Sequence, residues 1–500
     1  MTTFDSNEKT AQKPSANRKA SIQVNAVLNF IKAGCSVIFP LITFPYASRI
    51  LQVENLGKVN YGQSIVSYFA LFAALGINTY GVREGARKKA GNSFDAFASE
   101  IFSLNLFTTA IAYAALFLGL LAVPKLRDYR TVILILSASI VLTTFGIEWV
   151  NTVFEDFFYI TVRSIFVQLL CMGALFVFIK TPEDYLKYAC LTVLPAGITA
   201  IANWFYCRRY TSIRIIFNRS IFSHLRSMFV FFANSLAITI YVSADMTMLG
   251  WISGDYYAGL YSVSVKIYQI IKVMMTAIYT VTIPRLSRLA ASEKWDQYRS
   301  LLTDISSYII LLIFPCMAGI IAYAEQIILL ISGQSYVPAA GSLQILAVAL
   351  LFAVASGITV NCINTPNRLE KSSLYATIAA AATNIILNIF IIPVFRQNGA
   401  AMTTVAAEMM VLIICLVRLK DVSHFLHVRK LLKQFIHAAL GFVLVILISA
   451  CLKKVIPSAI GSLACGLILC PAAYAAALLL LRNKYFLGLI SSVFKKLKRN

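Results

Sequence analysis

The sequence predicts an all-α integral membrane protein of about fourteen transmembrane helices, and three observations carry that expectation. Hydrophobic residues make up 59% of the 500 positions and charged residues 13%, with a mean hydropathy of +0.76, outside the range of soluble globular chains. Apolar windows of about 20 residues, the length that crosses a bilayer, recur along the chain. Between them, Lys and Arg gather in alternate connections.

In chain order the windows fall at 22–49, 61–82, 98–123, 131–153, 157–180, 187–206, 226–250, 257–283, 302–323, 338–360, 371–392, 399–417, 434–452 and 458–481. Residues 1–21 are polar and lack the order of a cleavable signal peptide, so they read as a cytoplasmic tail. With that end inside, the cytoplasmic segments hold thirty Lys and Arg, among them Arg83 to Lys89, Arg208 to Arg226, Arg285 to Arg299 and Lys495 to Arg499. The opposite side holds nine. Basic residues favour cytoplasmic connections, so an even number of spans with both termini cytoplasmic is expected. The net charge of +23 orients the chain and implies no nucleic-acid partner.

The basic connection 207–225 divides the chain into six-helix halves, 22–206 and 226–417. An additional helix pair at 418–481 and a basic tail at 482–500 follow. Most of the ten cysteines sit in apolar runs with no CxxC pair, and the four histidines lie in or beside basic connections. No metal site, cofactor or catalytic motif is expected, and the absence of a GxxxxGK[ST] loop argues against direct ATP use.

Charges inside the spans are the candidate functional residues, since each costs roughly 2.5–3.5 kcal/mol at the centre of a membrane helix on insertion scales. The stretch Val242–Arg288 holds Asp245, Lys266 and Lys272 around an aromatic, Gly-rich turn at Gly250–Tyr257. Lys32 and Arg49 lie on the first span and Arg83 ends the second. The five bases together suit an anion in a low-dielectric channel. Snorkelling to the interface is the alternative for Arg49 and Arg83. Lys266 and Lys272 are six positions apart, about 120° around a helix of 3.6 residues per turn. For Asp245 the readings are pairing with a Lys, proton exchange or binding of a coupling cation. Glu148 reads as interfacial and Glu408 as a structural residue. Pro40 and Pro45 suggest a hinge in the first span.

Phe44–Arg49, Leu56-Gly57, Ala74–Glu84, Asp255–Tyr261, Lys266, Ile283–Leu286, Leu387–Pro393 and Asn398–Glu408 together resemble the Wzx-type polysaccharide flippases of the MOP superfamily. Phe395–Asn398 departs from the simpler Gly-containing turn of that family. The resemblance implies a MATE-like pair of six-helix bundles facing a cationic cavity. It also implies a polyisoprenyl pyrophosphate-linked oligosaccharide as cargo, carried between the leaflets of a bacterial inner membrane. The polymerase and chain-length machinery of surface polysaccharide synthesis and the membrane lipids are the expected partners. Alternatives are a peptidoglycan-precursor flippase or a cation-coupled drug exporter of the same superfamily, and a membrane glycosyltransferase or polymerase. The short outer connections count against the last.

Overall fold

A computed structural model describes residues 22–90, 93–419 and 421–497. The expected tail 1–21 and the terminal bases Lys498 and Arg499 lie outside them. Among the described residues there is no strand. The first half contains α1 (Ile22–Ala74), α2 (Ile77–Ala90), α3 (Phe94–Ala122), α4 (Arg130–Gly146), α5 (Phe157–Phe178) and α6 (Tyr185–Cys207). The second contains α7 (Leu225–Ile252), α8 (Asp255–Thr280), α9 (Trp295–Ser332), α10 (Ala340–Ile358) and α11 (Glu370–Arg418). The pair α12 (Val428–Val455) and α13 (Ala459–Leu480) packs on α9, and α14 (Lys484–Leu497) follows.

Two of these helices are too long for one crossing. At 53 and 49 residues, α1 and α11 would each exceed about 70 Å at 1.5 Å per residue, against a hydrocarbon core of about 30 Å. Each is broken once by a residue with positive φ, Gln52 at 60° in α1 and Arg396 at 52° in α11. Twelve helical stretches among the described residues are long and apolar enough to cross a membrane. The two breaks turn them into fourteen crossings. At the second break the Arg396 guanidinium lies 4.6 Å from the Tyr257 ring centroid and donates to its hydroxyl. This contact helps hold the strained residue where the sequence lacks a glycine.

The hinge expected at Pro40 and Pro45 is not where α1 breaks. Both prolines lie inside continuous helix, and the non-helical backbone is at Gln52. Proline fixes φ near its helical value and withdraws one N–H, so it bends a helix without reversing the chain.

The halves meet most closely just beyond that break. A Cβ on Gly57 would fall 2.0 Å from the carbonyl oxygen of Asp255, and one on Gly259 would fall 2.0 Å from that of Val53. Each glycine therefore lies against the backbone of the other helix, in a reciprocal crossing of α1 and α8 that only hydrogen side chains permit. The halves repeat one another here. Gln52 (φ 60) precedes Gly57 by the same five positions that separate Gly254 (φ 92) from Gly259.

The connection between the halves is fastened along α3. The backbone N–H groups of Arg214 and Ile216 donate to the hydroxyls of Ser99 (3.1 Å) and Ser103 (2.8 Å). His224 sits between the Tyr80 hydroxyl at 2.8 Å and Glu100 at 3.0 Å. The largest apolar cluster runs through the second half and takes in Ala47, Leu51 and Leu56 of α1.

Gly57→Ala and Gly259→Ala are each expected to cost roughly 1–3 kcal/mol of stability, as overpacking against a rigid backbone does. Gly173→Ala, with no atom within 4 Å of the new methyl, should not. Thermal unfolding of the purified variants in detergent measures the difference.

Candidate functional site

A cavity of about 570 Å³ lies between the halves, within the range of small-molecule sites. The second segment of α1 lines it with Asn60, Gln63, Ser64 and Ser67. Opposite stand Asp245 of α7, Lys266, Gln269 and Lys272 of α8, and Thr404 and Glu408 of α11. Hydroxyls stitch the two sides together. The Thr247 hydroxyl lies 2.9 Å from that of Ser64 and 3.3 Å from that of Tyr68, and the Ser67 and Ser243 hydroxyls lie 3.3 Å apart.

Asp245 is 6% exposed and forms no ion pair with a lysine among the described residues. Instead Asn384 and Asn388 each donate to Oδ1 at 2.8 Å, while Thr404 at 2.5 Å and Tyr261 at 2.9 Å donate to Oδ2. Four donors fill the acceptor sites of an ionised carboxylate. The break at Arg396 makes this arrangement, because it folds α11 back so that Asn384 and Asn388 on one arm and Thr403 and Thr404 on the other reach one point. Thr403 donates to Asn388 Oδ1 at 2.5 Å and joins the cluster. The expected pairing of Asp245 with a Lys is replaced by this cage of neutral dipoles.

The lysine pairs elsewhere. Lys272 Nζ lies 2.5 Å from Oε1 of Glu408, a side chain 4% exposed that also accepts from Tyr268 at 3.0 Å and Ser356 at 3.3 Å. Glu408, read from the sequence as structural, thus stands in the cavity wall as the partner of a candidate binding residue. Lys266 and Lys272 line the same cavity although six positions apart. The cavity is wide enough to be reached from both helix faces. Lys266 is half-buried and has no carboxylate partner among the described residues.

The other three candidate bases lie away from this group. Lys32 pairs with Glu148 at 3.3 Å, and Glu148 also binds Arg163 at 3.1 Å, all within the first half. Glu148 is therefore an ion-pair centre between helices. Arg49 is exposed near the Gln52 break, where its guanidinium donates to the carbonyl of Leu330 at the end of α9. Beside it Ser48 donates to Ser332 at 3.0 Å. Arg83 is exposed at the basic end, 6.0 Å from the Phe231 ring centroid.

The end of the bundle around Gln52 is closed. The glycine crossing, Arg49 on Leu330, Tyr129 on Asp255 at 2.7 Å and Lys125 on the Trp251 carbonyl all join the halves there. At the basic end α7 carries contact between the halves, with the Phe72 and Phe232 rings 5.3 Å apart.

Asp245→Asn removes the charge and one acceptor oxygen, and the Thr404 and Tyr261 hydroxyls must turn from donating to accepting, so a loss of about 1–3 kcal/mol is expected, the scale of a disturbed buried hydrogen-bond network. Asn384→Ala and Asn388→Ala should cost less, since three donors then remain. Thermal unfolding of the detergent-solubilised variants checks the order.

The arrangement has relatives. A protein named for O-antigen transport in Escherichia coli (strain K12) is 24% identical over 402 residues, which is 79% of this chain and 95% of that protein. In fold the chain is similar to lipid II flippase MurJ in an inward closed conformation. The TM-score is 0.73 at 15% identity, covering 94% of this chain and 100% of that one. It is also similar to an inward-facing multidrug resistance MATE family transporter of the MOP superfamily. There the TM-score is 0.59 at 17% identity, with 80% and 98% covered. At these identities the likeness shows the fold, two MATE-like bundles with an appended pair. A model of the polysaccharide biosynthesis protein family matches residues 24–290, more than half of the chain, and the chain belongs to that family.

Proposed function

We propose that this protein is a flippase that moves a polyisoprenyl diphosphate-linked oligosaccharide across a bacterial inner membrane for surface polysaccharide synthesis. The observation that carries the reading is the cavity between the halves. It places Lys266 and Lys272, the latter paired with Glu408, beside hydroxyl and amide side chains, the chemistry that accepts a diphosphate and sugar hydroxyls. The name of the Escherichia coli relative supports this cargo class.

The basic end is cytoplasmic by the charge bias of its connections, and both termini face the cytoplasm. With the far end joined and Phe72 against Phe232 at the basic end, loading from the cytoplasmic leaflet requires the contact at the basic end to part. Transport then follows from rocking the halves until the contacts of Arg49, Ser48 and Tyr129 part and the basic end closes. The translocated repeat unit passes to the polymerase and chain-length machinery. The protein performs no covalent step. An inside-negative potential favours outward movement of an anion by about 2.3 kcal/mol per charge per 100 mV. Asp245, buried in its cage beside the cavity, is the group through which a proton or cation would couple.

A cation-coupled drug exporter is the second reading, favoured by the two carboxylates, Asp245 and Glu408, in the cavity wall. Complementation of a strain lacking its polysaccharide flippase separates the two, at matched membrane abundance. Wild type should restore surface polysaccharide. Lys266→Ala should lose about tenfold or more, as removal of a buried charge-assisted contact does, and Lys266→Arg should retain part. Full activity of Lys266→Ala, or drug resistance in place of polysaccharide export, would refute the anionic cargo. Arg49→Ala, placed at the closed end, should alter transport less than Lys266→Ala.

A further inference from the structure

We infer that Glu408 is a resident stand-in for the cargo anion, occupying Lys272 while the cavity is empty and yielding it when a diphosphate arrives. The inference rests on the flippase reading above and assigns a positioning role that the family membership does not.

Three features of the geometry carry it. The pair is asymmetric in access, since the Lys272 side chain is 33% exposed to the cavity and that of Glu408 is 4% exposed. An incoming anion can therefore reach the ammonium without displacing the carboxylate from its wall. Glu408 also has support that does not depend on Lys272, because the hydroxyls of Tyr268 and Ser356 still donate to it when the lysine turns away. A buried carboxylate stripped of its only partner would resist that exchange strongly. Finally, Lys266 stands on the same helix and the same cavity without a carboxylate of its own. It provides a first point of capture that needs no exchange.

The exchange has a physical rationale. A lysine left unpaired in a low-dielectric wall is costly, and a permanently paired lysine cannot hold cargo. A diphosphate diester brings two negative charges against the single charge of Glu408, so it wins Lys272 on arrival. On the far side, Glu408 competes for the same ammonium and promotes release. Lys272 thus passes between two anions, and no bond is made or broken.

The test uses the full-length protein in detergent, with farnesyl diphosphate as the binding probe and farnesol as the uncharged control. Glu408→Gln frees Lys272 and should tighten farnesyl diphosphate binding roughly tenfold at low salt, while lowering surface polysaccharide in complementation because release is slowed. The double variant Glu408→Gln with Lys272→Gln should lose that gain, and Glu408→Asp should stay near wild type. Tyr268→Phe acts in the opposite sense. It removes a supporting hydroxyl, Glu408 holds Lys272 harder, and binding should weaken severalfold. The inference is overturned if Glu408→Gln, eluting as a monodisperse species, binds no tighter than wild type, or if Tyr268→Phe leaves affinity unchanged. If wild type does not distinguish farnesyl diphosphate from farnesol, the diphosphate cargo itself is refuted and the inference falls with it.

Discussion

The contact on which the rest of the structure depends is the mutual approach of Gly57 and Gly259. Two helices that touch backbone to backbone have no freedom to slide, because each glycine fits only where the other chain's carbonyl passes. This fixes the depth at which the halves meet and closes that end of the bundle. It also sets the cavity within about two helical turns of the crossing, where Asn60, Gln63 and Ser64 face Tyr261, Ser262 and Lys266. The apolar cluster that joins α1 to the second half is assembled around the same place. In lipid, where burying apolar surface between helices gains little, such close packing is a principal source of association.

Ion pairs form inside each half. Lys32 and Arg163 share Glu148 in the first half, and Lys272 holds Glu408 in the second. Asp245 is balanced by dipoles instead of by an ion. The cavity wall then contains two lysines and two carboxylates; Lys272 and Glu408 pair, while Lys266 and Asp245 each stand without an ion partner among the described residues. A lumen described only as cationic misses this economy: one fixed charge attracts, and a second becomes available when something displaces its partner.

Much of the fold was legible in the sequence because bilayer thickness imposes a length on each apolar run and basic residues mark alternate connections. Fourteen windows correspond to fourteen crossings. Local backbone geometry was not legible. Gln52 and Arg396 adopt positive φ without being glycines, while Pro40 and Pro45, which look like breaks, sit in continuous helix. The site was half legible. Lys266 and Lys272 stood out as charges in an apolar span. Glu148 and Glu408 did so too, but their lysine partners are 116 and 136 positions distant in the chain, and no local pattern joins those pairs. Asn384 and Asn388 were the missed signal. Two amides four apart in an apolar helix lie on one face, and such residues need partners in a membrane.

The repetition of a bend and a close-packed glycine at the same interval in both halves has a consequence for symmetry. Two identical subunits paired about a twofold axis would display every side chain twice, so a lysine beside the axis would face its own copy. At the interval that relates Gly57 to Gly259, the counterpart of Lys266 is Ser64 and that of Asp245 is Thr43. Joining the halves in one polypeptide therefore releases them from self-complementarity. One half can specialise in holding charge and the other in presenting a neutral, hydroxyl-rich surface to the same guest.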